Sequence, residues 1–355
     1  MPEVEFPVPV FGERGDLADR ELPIGALRLC RNMLRSERGR LSIRPGYIVL
    51  SATNPTDRIM GIAGFTTAAA ANRQVAGTLT KVWQYDGTDW LDITGAAFTG
   101  AATNHVRFAI MSVSGTYKIV IMNGKDANKI WDGAAATCSA QGGSPGVFID
   151  GMIVANRMLG LVSPETVWVS DFNNPESWPS GGGFRVRLVD AGDLMVGMGR
   201  LTRTSGAIIG EESQWVARAQ SGSSPFRFDR VSESSGPLSC ACIVRSGESI
   251  LHWLAKDYNV YRFDGVQCPA VGWAMKSYVA DMIDPANEKT AHGVFVDDLN
   301  KIFWLFPDTS SASNGPNRGI YLDVKTGEMG RLYFANPITA MGRVRVVYGV
   351  TWDSL

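Results

Sequence analysis

The sequence predicts an all-β protein, a β-propeller of five or six degenerate blades carrying an N-terminal extended arm and a short helix. Three observations predict it. Beyond residue 56 the chain reads as short runs of β-branched and aromatic residues, such as KVWQY, TYKIVIM, NKIW, TVWVSDF, SQWVARA, SILHWLA, YNVYRF, KIFWLF and GIYLDV. The gaps between runs carry turn dipeptides, Asp86-Gly87, Asn123-Gly124, Asp132-Gly133, Asp264-Gly265 and Thr326-Gly327. Four segments end alike, VWQYDG (82–87), KIWDG (129–133), VYRFDG (260–265) and, more loosely, IYLDVKTG (320–327). Two more, VWVSDF (167–172) and QWVARAQSG (214–222), keep the aromatic without the Asp-Gly.

The aromatics of these six segments, Trp83, Trp131, Trp168, Trp215, Tyr261 and Tyr321, are spaced by 48, 37, 47, 46 and 60 residues. A four-stranded blade takes roughly 40 to 50 residues. The longest interval contains the polar insertion DTSSASNGPN (308–317). The competing arrangement is a set of unrelated hairpins in a sandwich, because an aromatic strand followed by Asp-Gly occurs in many antiparallel proteins. Radial stacking is preferred because each blade has two apolar faces and only stacking covers both.

Along the chain, residues 1–20 alternate apolar and polar with Pro at 2, 7 and 9, which predicts an extended arm or an edge strand. Residues 25–35 (GALRLCRNMLR) form the best helical window, with Leu27, Cys30 and Leu34 at i, i+3 and i+7. A second helix is expected within 271–282 (VGWAMKSYVADM). The predicted organisation is an arm and docking helix over 1–50, a propeller body over 51–340, and a C-terminal strand or tail over 341–355.

Composition excludes several classes. Hydrophobic residues make up 45% of the 355 and charged residues 19%, too apolar and too weakly charged for a disordered chain. No apolar run approaches the roughly 20 residues of a membrane span, and the start of the chain lacks the pattern of a signal peptide. The formal net charge of -1 argues against a protein that coats nucleic acid over its whole surface. Five cysteines, Cys30, Cys138, Cys240, Cys242 and Cys268, are too few and too scattered for a disulfide framework and fit synthesis in a reducing cytoplasm.

Catalytic signatures are absent from the sequence: there is no GxxxxGK[ST] and no HExxH. No cofactor and no enzymatic activity are expected. Cys240-x-Cys242 places two thiols on one face of an expected strand, which reads as buried structural thiols rather than zinc ligands. The stretch Ser170–Trp178 reads as a loop closed by a packed tryptophan. Asp171, Glu176, Glu211 and Glu212 are carboxylates that a glycosidase could use, but nothing in their spacing pairs them. The most distinctive cluster is basic: Arg28, Arg31, Arg35, Arg38, Arg40 and Arg44 fall within 17 residues against the single acid Glu37, a local charge of +5. It suits a solvated helix face, a docking segment for an acidic partner, or phosphate contact in a channel filled with nucleic acid.

Segment 26–46, ALRLCRNMLRSERGRLSIRPG, resembles the N-terminal signature of bacteriophage packaged-DNA stabilisation and tail-hub (nozzle) proteins, through Cys30, Asn32, Arg44, Pro45, Gly46 and Tyr47. SDFNNPESW (170–178), the stretch 190–199, GAIIGEESQWVA (206–217), SSGPLS (234–239) and ILHWLAKDYNVYRFDG (250–265) are similar to the same proteins in the same order, with Asp257-Tyr258-Asn259 replacing an expected glycine. The resemblance implies a virion component of the tail or head-tail junction, made in the bacterial host cytoplasm. It implies a propeller that forms a ring, commonly a hexamer, below the portal and adaptor proteins, meets tail fibre or needle proteins, and lets double-stranded DNA pass non-specifically. The chain is short for that family, and no functional residue carries over, because the family works through whole surfaces. A carbohydrate-binding propeller or glycoside hydrolase acting on host polysaccharide is the alternative, and a monomeric propeller scaffold for protein partners is a third.

Overall fold

A computed structural model describes residues 32–35, 41–43, 55–67, 72–179, 184–188, 193–247, 249–311 and 315–342. A short hairpin comes first, β1 (Met33–Arg35) paired with β2 (Leu41–Ile43). Six antiparallel sheets follow, each built from consecutive strands. Blade 1 is β3 (Ile59–Thr66), β4 (Asn72–Thr78), β5 (Val82–Tyr85) and β6 (Trp90–Asp92). Blade 2 is β7 (Arg107–Val113), β8 (Thr116–Met122), β9 (Lys129–Trp131) and β10 (Ser139–Ala140). Blade 3 is β11 (Asp150–Val154), β12 (Arg157–Val162), β13 (Thr166–Val169) and β14 (Arg185–Arg187). Blade 4 is β15 (Met195–Arg200), β16 (Ser205–Gly210), β17 (Ser213–Ala219) and β18 (Phe226–Glu233).

Blade 5 has three strands, β19 (Val244–Arg245), β20 (Leu251–Leu254) and β21 (Val260–Phe263). In place of a fourth strand, residues 269–270 run beside β21 through a single bridge, Tyr261 to Ala270, and a bond from Arg262 N to Pro269 O of 3.0 Å. The chain then enters α1 (Trp273–Met282). Blade 6 is β22 (His292–Val296), β23 (Lys301–Phe306), β24 (Arg318–Asp323) and β25 (Met329–Tyr333). The first strands of consecutive blades are neighbours, β3 with β7, β7 with β11, β11 with β15, β15 with β19 and β19 with β22. The protein is thus a six-bladed β-propeller, with the first strands around the axis and the fourth strands at the rim.

The repeat seen in the sequence has a physical basis. All six marker aromatics lie on the third strand of a blade: Trp83 on β5, Trp131 on β9, Trp168 on β13, Trp215 on β17, Tyr261 on β21 and Tyr321 on β24. The aspartate that closes four of these strands accepts two backbone N–H groups from the turn beyond it. Asp86 accepts from Thr88 and Asp89, Asp132 from Ala134 and Ala135, Asp264 from Val266 and Gln267, and Asp323 from Lys325 and Thr326. These side-chain turns let the glycine that follows adopt positive φ, 113° at Gly87, 83° at Gly133, 93° at Gly265 and 74° at Gly327. The long interval before Tyr321 holds both α1 and the loop 308–317 between β23 and β24.

Blades adhere through apolar layers between them. Met60, Phe65 and Val75 of blade 1 meet Ile119, Ile121 and Trp131 of blade 2. Met111 and Val120 meet Phe148 and Met158 between blades 2 and 3. Leu159 and Val167 meet Ile208 and Ala217 between blades 3 and 4, and Ile209 and Val216 meet Leu251 and Trp253 between blades 4 and 5. Between blades 5 and 6, Met275 and Val279 of α1 wedge against Leu254, Val260, Ile302 and Phe306. The sixth layer differs: Leu305, Tyr321 and Leu332 of blade 6 face Leu34 of the N-terminal hairpin and Phe334, Ile338 and Met341 of the segment after β25. That segment runs on to Gly342, where a Cβ would lie 2.1 Å from Ile62 O of blade 1.

Two expectations are corrected. The window 25–35 does not end as helix: residues 33–35 are a strand, and 25–31 lie outside the described residues. Asn32 takes a left-handed conformation (φ 54°), which interrupts any helix there, and burial of Leu34 against blade 6 favours the hairpin. Cys240–Cys242 is a 3-10 turn rather than a strand. The second helix falls within its expected window. The arm 1–20 and residues 343–355 lie outside the described residues.

Candidate functional site

The propeller axis is crossed by polar side chains from the first strands. Arg107 on β7 donates from Nε to Asp150 Oδ1 at 3.0 Å. Asp150 opens β11, is 1% exposed, and also accepts from Gly151 N and from Met198 N on β15, both at 2.9 Å. One carboxylate therefore ties blades 2, 3 and 4 together. Burial works against the Arg107 charge, but the neighbouring Asp150 outweighs it and the guanidinium holds its proton more firmly than usual. Cys240 and Cys242 lie beside this pair, and burial pushes both thiols up to about 12, so they are neutral.

Two histidines complete the axis. His105 Nε2 donates to Lys289 O at 2.9 Å, and His292 Nδ1 donates to Thr290 O at 3.3 Å. Their rings lie 6.5 Å apart, and His292 Nε2 is buried without a hydrogen-bond partner among the described residues. Burial drives His105 down to about 4 and His292 down to about 3, so both are neutral at neutral pH. They border a cavity of about 50 Å³ shared with Met60, Gly293 and Met341, room for a water or two.

Above this plug, on the face where the first strands begin, lies a wider depression of about 240 Å³. It is bordered by Thr103, Asn104 and Asn123 of blade 2, Glu211 of blade 4, Lys256 of blade 5 and Lys289 from the turn before blade 6. Glu211 and Lys256 form an ion pair across blades 4 and 5.

At the rim, the backbone N–H of Asn32 donates to Arg331 O at 3.0 Å, and its Oδ1 accepts from Tyr333 N at 2.8 Å. Asn32 thereby caps β25, the outer strand of blade 6. Of the six arginines singled out from the sequence, Arg35 lies on β1 opposite Leu41. Arg28, Arg31, Arg38, Arg40 and Arg44 lie outside the described residues.

Three of the carboxylates a glycosidase might use are engaged by cations. Asp171 lies 3.8 Å from Arg157 Nη1 and accepts from Ser177 Oγ at 2.7 Å, Glu176 pairs with Lys118 of blade 2, and Glu211 pairs with Lys256 of blade 5. Glu212 is exposed at the neighbouring turn. Trp178 packs against Phe148 (5.2 Å) and Trp168 (6.3 Å) and closes its loop as expected. Among the described residues no group of three or more His, Cys, Asp or Glu side chains could hold a metal ion, and no helix is long and apolar enough to cross a membrane.

Sequence reasoning missed the axial residues because each stands alone in the chain. The signal that could have found them is the blade period itself: Arg107 and Asp150 sit at the start of consecutive first strands, 43 residues apart. No protein-family model matches the chain, and no curated protein matches it. Among solved structures the chain is similar to BamB from Moraxella catarrhalis, at 11% identity over 83% of this chain and 81% of that one, with a TM-score of 0.47.

Proposed function

We propose that this protein is a structural virion component of a bacteriophage, a ring-forming tail-hub (nozzle) or head-completion subunit that acts by assembly and not by turnover. The observation that carries the reading is the rim of blade 6. There Asn32 clamps the start of β1 to β25, so the arginine-rich segment is tethered at one edge of a rigid body. A basic segment tethered at one edge is what a subunit needs to reach an acidic surface on its neighbour. Asp171, Glu176 and Glu211 are each engaged by a different cation, Arg157, Lys118 and Lys256.

In this reading the subunits form a hexameric ring in the virion, below the portal and adaptor and in contact with fibre or needle proteins. Double-stranded DNA runs through the ring centre without sequence-specific contacts. The axis of each propeller is filled by Arg107, Asp150, His105 and His292, so the passage lies between subunits and not through a blade ring. The mild net charge of -1 suits walls along which DNA slides.

The test is assembly of purified protein on its platform, read by negative-stain microscopy and light scattering. Deletion of residues 1–46 is expected to abolish ring formation. Because that deletion also uncovers Leu305 and Leu332, a second variant reverses Arg28, Arg31, Arg38 and Arg40 to Glu and leaves the hairpin intact. Normal assembly of this second variant refutes the docking role of the basic segment.

A further inference from the structure

The depression at the mouth of the axis differs from the plug beneath it in its hydrogen-bonding balance. Beneath, donors meet acceptors: Arg107 has Asp150, and His105 has the Lys289 carbonyl. In the depression, three side chains carry donors with no protein acceptor among the described residues, those of Lys289, Asn104 and Thr103. Lys289 is an exposed residue of the lining, and its ammonium has no hydrogen-bond or ion-pair partner among the described residues. Asn104 accepts from Ala101 N at 2.8 Å through Oδ1, which fixes its amide and leaves the NH2 group, two donors, unengaged. The Thr103 hydroxyl likewise has no hydrogen-bond partner among the described residues. Lys256 commits one of its three N–H groups to Glu211, and that pair is neutral as a unit.

Of the charged side chains bordering the depression, Glu211 and Lys256 pair with each other, and Lys289 has no counter-ion among the described residues. Cys240, which also borders it, contributes no thiolate, because burial pushes its thiol up to about 12. Asn123 is consumed by its own turn, accepting from Lys125 N and Asp126 N and donating to Asp126. The depression therefore presents one uncompensated cation with amide and hydroxyl donors beside it, a set that matches an anion with several acceptor lone pairs. The space, about 240 Å³, is roughly eight water volumes. It admits the tip of an acidic side chain or a small dicarboxylate.

We propose that this axial depression is a binding site for a carboxylate group, with Lys289 as its counter-ion and Asn104 and Thr103 as its hydrogen-bond donors. The carboxylate can come from a free small acid or from a Glu-bearing polypeptide that inserts along the axis. The inference is independent of the assembly reading, because binding is measured on the free subunit.

Isothermal titration of the full chain at low ionic strength uses two probes, glutarate and a short capped peptide containing one Glu between glycines. The expected result is saturable binding of at least one probe that weakens about tenfold or more in Lys289→Ala. It is also expected to be unchanged in Arg203→Ala, a charge-matched control just beyond the far end of β15, an exposed residue with no ion pair among the described residues. Lys289→Ala keeps the backbone carbonyl that His105 uses, so the fold is retained, and circular dichroism verifies it. Binding of the peptide alone identifies a polypeptide source, whereas binding of glutarate identifies a free acid; both uphold the site. Absence of saturable binding of either probe up to about 20 mM overturns the proposal, as does equal affinity in Lys289→Ala.

Discussion

Removal of the Asp150 carboxylate should cost more stability than any other single polar change at the axis. In Asp150→Ala, Arg107 loses the anion that offsets its burial and Met198 N, in a residue only 2% exposed, loses its acceptor. An unsatisfied buried amide costs about 1–3 kcal/mol, and breaking a buried ion pair by removing one partner costs about 3–5 kcal/mol. The Arg107 side chain is 26% exposed, so water relieves part of its penalty and the pair belongs at the low end of that range. A total of about 4–6 kcal/mol results. With an unfolding entropy of about 2.1 cal/mol/K per residue, a chain of 355 residues loses about 5–8 °C in thermal midpoint. Arg107→Ala should lose less, because Asp150 keeps two amide donors. The assay is thermal and urea unfolding of both single variants and the double variant, with an expected coupling of about 1–2 kcal/mol. A shift below about 1 °C for Asp150→Ala, or strict additivity in the cycle, would show that the carboxylate does not pin the three blades.

Stability should fall in mildly acidic solution through His105 and His292. Their folded values are about 4 and about 3 against 6.5 for the free side chain, so the unfolded chain takes up protons that the folded one refuses. The contribution is fully present above pH 6.5 and is lost as pH falls toward 4 and then 3, by up to about 1.4 kcal/mol per histidine per pH unit. A thermal midpoint that is flat between pH 7 and about 4.5 contradicts this. Gly61→Ala should cost about 2–3 kcal/mol, because its Cβ would lie 2.0 Å from the Val106 carbonyl oxygen, a backbone atom that cannot rotate away. Gly327→Ala, with nothing within 4 Å of its Cβ, should cost only the roughly 1 kcal/mol of its left-handed φ of 74°; equal losses in chemical denaturation would refute the distinction. Trp304→Phe removes the indole N–H that reaches Cys242 O at 2.9 Å across blades 5 and 6, and should destabilise by about 1–3 kcal/mol in the same assay. Cys242, fully buried with its thiol pushed up to about 12, should react with a thiol reagent only at the rate of unfolding.

The strand runs that stand out in the sequence are almost all second and third strands: TYKIVIM is β8, SQWVARA is β17, KIFWLF is β23 and GIYLDV is β24. These strands lie in the middle of a blade with apolar layers on both faces, so they are rich in large side chains. First strands are hidden because they crowd the axis, where Gly61, Gly197 and Gly293 admit neighbouring blades at distances a Cβ would block. Fourth strands are hidden for the opposite reason. Arg185-Val186-Arg187 and Ser139-Ala140 face solvent at the rim and carry no apolar signature. Over residues 33–35 the helical reading fails because their partner, blade 6, lies some 300 residues away and overrides local periodicity. The axial residues needed three-dimensional closure before Arg107, Asp150, His105 and His292 became neighbours. The donor excess around Lys289 could not be inferred from residue types at all, because it depends on which side chains are already engaged.

The sixth apolar layer sets the order in which this molecule can be completed. The other five layers join stretches adjacent in the chain, so each can condense as soon as its two hairpin sheets exist. The layer at blade 6 needs Asn32 to find Tyr333, a separation of 301 residues, and needs Gly342 to settle against Ile62. Closing so large a loop carries the greatest chain-entropy cost in the fold and is repaid only after both sides are formed. Latching of the circle is therefore expected to be the last event of folding and the first to be undone, and amide exchange should be fastest, among the described strands, in β1 and β25.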